Sequence, residues 1–151
     1  MMEFAPALLV LPILAKLSLI DIRERRIPNR VTFPSFLAFF FLLFILSRTL
    51  NLEPEFSRAL LGAATAFLFF LSLYAIYPQG IGLGDVKLSA LIGLLLGWVS
   101  FEALMYGVLA MFLLSFFYSV FLVLRNRHSL HLAFPFAPFM TLGYIVGMIL
   151  R

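Results

Sequence analysis

The chain has 151 residues, of which 64% are hydrophobic and only 12% charged, against about a quarter charged in a typical soluble domain. It contains no cysteine, which excludes disulfides, thiolate metal sites and cysteine nucleophiles. The net charge of +4 is carried mostly by bases in short segments beside apolar runs, a distribution that points to membrane orientation and away from nucleic acid.

Taken in chain order, the apolar runs predict six spans: Phe4–Ile20, Val31–Ser47, Ala59–Tyr77, Val86–Val99, Ala103–Leu124 and Leu132–Leu150. The expected fold is therefore an all-α integral membrane protein, one domain over residues 1–151 built as a bundle of about six transmembrane helices. Short connections predict antiparallel neighbours. The first run has no basic stretch before it and is followed by further runs, so it reads as a retained helix and not as a cleaved signal peptide. It closes on "LSLIDIRERRIPNR". There Asp21 faces the negative end of its own helix dipole, an unfavourable position that Arg25, four residues on, can neutralise as a surface pair. A structural role and a functional one fit Asp21 equally on this evidence.

The second run contains "FLAFFFLLF", read as lipid-facing or core bulk. The fourth is short for a crossing of about 20 residues and is expected to start below the membrane surface or to lie against other helices. It is introduced by "GIGLGDVKLS", Gly80 to Ser89. Asp85 at its start suits a helix N-cap, and the alternating Gly80, Gly82 and Gly84 allow another segment of backbone to come close. Lys87 is read as an interfacial cation that snorkels, ahead of a ligand for a substrate carbonyl or a lipid phosphate. Gly93–Gly97 and Gly143–Gly147 are G-x-x-x-G pairs, assigned to internal helix packing in preference to dimerisation. His128 and His131 are read as solvated residues of a basic loop, with a metal site the lesser alternative because no third ligand is near in sequence. No cofactor or metal is expected.

Six spans place Asp21–Arg30, Pro78–Asp85 and Arg125–His131 on one face, carrying Arg23, Arg25, Arg26, Arg30, Lys87, Arg125 and Arg127. The opposite face has Arg48, Arg58 and Arg151, diluted by Glu3, Glu53, Glu55 and Glu102. The positive-inside rule makes the Arg-rich face cytoplasmic, with both termini outside. Asp21 and Asp85, the only aspartates in the chain, then share the cytoplasmic side. Two nearby carboxylates share a proton, so one can activate water while the other donates to a carbonyl oxygen. That arrangement hydrolyses amides without metal or thiol.

The stretch "DIRERRIPN", with Asp21, Arg23, Ile27, Pro28 and Asn29, resembles the D-x-R-x-x-x-I-P-N pattern of type IV prepilin peptidases. "GLGDVKL", with Gly82, Gly84, Asp85 and Lys87, resembles their G-x-G-D-x-K-L signature, whose G-x-G-D core is shared with other intramembrane aspartyl proteases. "FPFAPFMTLG" is similar to the family's P-F-G-P segment, with Ala137 where glycine is usual. The resemblance implies an aspartyl endopeptidase that removes the leader from prepilin, pseudopilin or preflagellin-like precursors, with Asp21 and Asp85 catalytic. Arg23, Pro28 and Asn29 would shape the loop that presents Asp21. Many bacterial members also carry Cys-x-x-Cys pairs linked to N-methylation; this cysteine-free sequence looks like the short, peptidase-only form. The implied partners are a precursor with an apolar N-terminal helix and membrane lipid. A small transporter or ion-binding bundle is the alternative, since intramembrane acids also mark ion paths, and a metallopeptidase using the two histidines is a further one.

Overall fold

The computed structural model describes residues 5–125 and 135–151. These form seven helices in chain order: α1 (Ala5–Leu9), α2 (Leu11–Glu24), α3 (Asn29–Leu50), α4 (Glu53–Ile76), α5 (Leu83–Val99), α6 (Phe101–Arg125) and α7 (Ala137–Leu150). The predicted first span is α1 and α2 together, broken at Val10 because Pro12 in the first turn of α2 has no N–H for a helix bond. It also runs one turn further than expected, so Asp21 lies within α2 and not at its end. Arg25 then stops the helix in the left-handed region at φ 50°, its N–H donating to the Asp21 carbonyl at 2.8 Å.

Among the described residues, four stretches are long and apolar enough to cross a membrane: Ala5–Glu24, Asn29–Leu50, Glu53–Ile76 and Phe101–Arg125. The 17 residues of α5 rise about 26 Å, a little less than a ~30 Å hydrocarbon core, and the 14 of α7 rise about 21 Å. The predicted sixth span was set to begin at Leu132, but α7 opens at Ala137. Pro138 fits its first turn, where a missing N–H costs nothing. The fourth span begins earlier than predicted, so that Gly84 belongs to the first turn of α5 and Asp85 is its third helical residue rather than its N-cap.

The short α5 is the centre of the bundle. Leu88, Leu91, Leu94, Leu95 and Leu96 are fully buried on it, which explains why its sequence shows no amphipathic face. Its main partner is α4, approached through glycine. A Cβ on Gly97 would lie 2.8 Å from the Arg58 carbonyl oxygen and 3.1 Å from the Cα of Gly62. At the far end of the same seam Ser89 Oγ donates to the Ala66 carbonyl at 3.3 Å, so the two helices run antiparallel. The second glycine pair serves α6 against α7: Gly143 faces Met111 and Gly147 faces Gly107. Both G-x-x-x-G pairs thus pack internally, as expected.

In the sequence Arg58 is only a cation of the less basic face. Its guanidinium closes the end of α5, donating to the carbonyls of Gly97 (2.8 Å), Trp98 (2.8 Å) and Val99 (3.1 Å). A cation there satisfies carbonyls that a helix terminus leaves without partners and complements the negative dipole end. The "FLAFFFLLF" stretch divides between both predicted roles, with Phe39 buried and Phe41 and Phe44 exposed.

Candidate active site

Asp21 is 6% exposed despite its charge. Its Oδ2 accepts a hydrogen bond from the backbone N–H of Ala137, 116 residues away, at 3.0 Å. The unfavourable position on α2 is thereby offset, because the carboxylate also sits at the positive N-terminal end of α7, where free N–H groups point outward. The expected surface pair with Arg25 does not form. Among the described residues the ion pairs are Arg26–Glu24 and Arg48–Glu53, both exposed.

The start of α7 is held by its own neighbours. The Phe136 ring packs against Phe70 of α4 and Phe112 of α6, with centroids 6.0 and 5.9 Å away. Below it the seam between α2 and α7 is laced by hydroxyls. Ser18 Oγ and Thr141 Oγ1 are 2.8 Å apart, Thr141 Oγ1 donates to the Leu14 carbonyl at 3.4 Å, and Tyr144 Oη donates to the Ala7 carbonyl of α1 at 2.6 Å. Each contact further along α7 falls earlier in α2 and α1, so these helices are antiparallel too.

Asp85, half-buried, occupies the first turn of α5. Its Oδ2 accepts from the Gly82 N–H at 3.1 Å, the reciprocal half of a capping box, which Gly82 has no side chain to complete. Asp21 and Asp85 thus each take a backbone N–H at the start of a helix, α7 for the one and α5 for the other.

Two contacts join the segments that carry them. Gly84 lies against the α2–α3 linker so closely that an added Cβ would come 2.8 Å from the Ile27 Cβ. Lys87 Nζ donates to Asn29 Oδ1 at 3.0 Å, a specific tie in place of the free snorkelling expected for it. Pro28 caps α3 in extended conformation (φ −72°, ψ 124°), and its carbonyl accepts from Val31 N–H at 3.0 Å and Thr32 N–H at 3.2 Å. Of the eight predicted site residues, Asp21, Pro28, Asn29, Gly82, Gly84, Asp85 and Lys87 gather at one end of the bundle. Arg23 is exposed in the last turn of α2 and forms no ion pair with either aspartate. His128 and His131 lie outside the described residues.

Sequence reasoning missed the Ala137 N–H. The signal was present: Pro135 and Pro138 bracket a helix start, and helix starts attract carboxylates.

The model of the type IV leader peptidase family matches residues 8–150. The chain is 32% identical over 146 residues to a prepilin leader peptidase/N-methyltransferase of Bacillus subtilis (strain 168), covering 97% of this chain and 56% of that protein. It is 30% identical over 148 residues to one of Aeromonas hydrophila, covering 95% and 48%. With one of Pectobacterium carotovorum subsp. carotovorum it shares 33% identity over 149 residues, covering 96% and 51%. The chain thus spans about half the length of the curated relatives it matches. No solved structure matches it significantly.

Proposed function

The chain belongs to the type IV leader peptidase family, and from that footing we propose that it is an aspartic-type endopeptidase in which Asp21 and Asp85 cleave the leader from a prepilin-like precursor. The observation that carries this reading is a convergence: two aspartates, 64 positions apart in sequence, lie on segments that the Gly84–Ile27 and Lys87–Asn29 contacts join at one end of a helical bundle. Each is steadied by a backbone N–H at a helix start, which orients a carboxylate without neutralising it.

In the proposed reaction the pair holds one proton. The ionised carboxylate takes a proton from water, and the resulting hydroxide attacks the scissile carbonyl carbon. The protonated partner gives its proton to the carbonyl oxygen, forming a tetrahedral diol. Collapse of the diol breaks the C–N bond as the departing nitrogen is protonated. The pair titrates as a unit, so acid and base are roles of the dyad and not fixed labels. The substrate is a precursor whose leader precedes an apolar helix, and the basic character of this end of the bundle supports a cytoplasmic active site.

Co-expression with a prepilin in bacterial membranes tests the proposal. Leader removal is expected from the parent chain, and Asp21→Asn or Asp85→Asn should each reduce it at least about 10³-fold, the order expected when a general acid or base is lost. Cleavage retained by either variant, in correctly inserted protein, overturns the assignment.

A further inference from the structure

On the outer side of α3, α4 and α5 a cleft of about 500 Å³ is lined by Thr32, Phe36, Leu60, Ala64, Phe67 and Ala90, with Phe33 and Lys87 also on its wall. A second cavity of about 470 Å³ shares Phe33 and Lys87 with it and adds Asn29, Arg30 and Pro34. An apolar slot therefore adjoins a cationic cavity at the end of the bundle where α3 and α5 begin. Among the described residues no acidic side chain lines either part. We propose that this double cavity binds an anionic phospholipid, with one acyl chain in the slot and the headgroup phosphate between Arg30 and Lys87.

A helix about 10 Å across fills roughly 420 Å³ in a single 5.4 Å turn, so the slot takes in about one turn's volume, and a precursor's apolar segment would seat only one flank in it. A flexible hydrocarbon chain needs no such girth, and the volume lies in the range of small-ligand sites. Charge selects the headgroup. The tie to Asn29 uses one of the three Lys87 donors, leaving two for phosphate oxygens. Arg30 is exposed in the first turn of α3, at the depth where bases attract anionic headgroups.

The full chain in nanodiscs of equal phosphatidylcholine and phosphatidylglycerol, matched in acyl chains, provides the test. After release into the gas phase, native mass spectrometry counts the lipid that stays bound. Phosphatidylglycerol should be retained roughly 25-fold over phosphatidylcholine, because each of the two bases near the surface is worth about a fivefold preference. Arg30→Gln should reduce that preference about fivefold. Ala64→Phe, which fills the slot and leaves both charges in place, should abolish retention. A phosphatidylglycerol with a photoreactive acyl chain should label α3 and α4. Equal retention of the two lipids, a preference unchanged in both variants, or labelling confined to α6 overturns the site, as does cross-linking of a precursor helix to position 64. None of these outcomes bears on peptide cleavage, which is read separately.

Discussion

A carboxylate withdrawn from water is expensive unless it has its own means of support, and the supports of the two aspartates differ. Asp21 borrows the N-terminus of a helix from the other end of the sequence; Asp85 uses the turn that carries it. Two carboxylates that share one proton raise each other's affinity for it, so under the proposed mechanism removing the charge of Asp21 should make Asp85 give up its proton more readily. In Asp21→Asn the protonated carboxyl band of Asp85, followed by infrared spectroscopy against pH, should disappear at lower pH than in the parent. A titration that stays in place or moves upward contradicts the pairing. Gly84 belongs to the same scale. A methyl group there must displace Ile27, whose Cβ would be 2.8 Å away, and this shifts the linker that follows Asp21. Gly84→Ala should cut cleavage by about 10² while the protein still inserts, since small displacements of catalytic groups cost about that much. The double variant Gly84→Ala/Ile27→Gly, which removes the obstructing side chain, should recover part of the loss.

Helix α5 shows why elements in this molecule cannot be read one at a time. Leucine and glycine around its whole circumference give no preferred face, so hydropathy located the helix but not its partners. The glycines mark where helices come close, and both G-x-x-x-G pairs pack internally as expected, but which helices they meet is seen only in the fold. What stayed hidden was the role of single polar residues against distant backbone. Arg58 looked like a topology signal and is a cap for α5. Ala137 looked like a departure from a motif and is the donor to Asp21. Partnerships across 39 or 116 positions leave no periodic trace in the sequence. Arg58→Met, which keeps the aliphatic stem, should destabilise the bundle by about 1.5–3 kcal/mol, the worth of a charge-assisted hydrogen bond to the helix end. Gly97→Val should cost about 1–3 kcal/mol by overpacking against α4. Both are measurable as earlier thermal unfolding in detergent.

Across the whole molecule, topology was the most legible feature. Counting apolar runs put Asp21–Arg30 and Pro78–Asp85 at one end, and the contacts of Gly84 with Ile27 and of Lys87 with Asn29 join those segments. Counting was less good at lengths: four stretches reach a full crossing, while α5 and α7 are shorter. The absence of cysteine from the sequence makes orientation simple to test. Single cysteines at Arg23 and Gln79 should react with an impermeant maleimide from the same side of sealed membrane vesicles, and one at Glu53 from the other. The ladder from Asp21 to Ala137, Ser18 to Thr141 and Ala7 to Tyr144 has a consequence during biosynthesis. The groove that receives α7 is built from α1 and α2, yet α7 emerges from the ribosome after every other helix described. Until it docks, the nascent chain holds an aspartate with no donor from α7, so the finished geometry waits on the synthesis of α7.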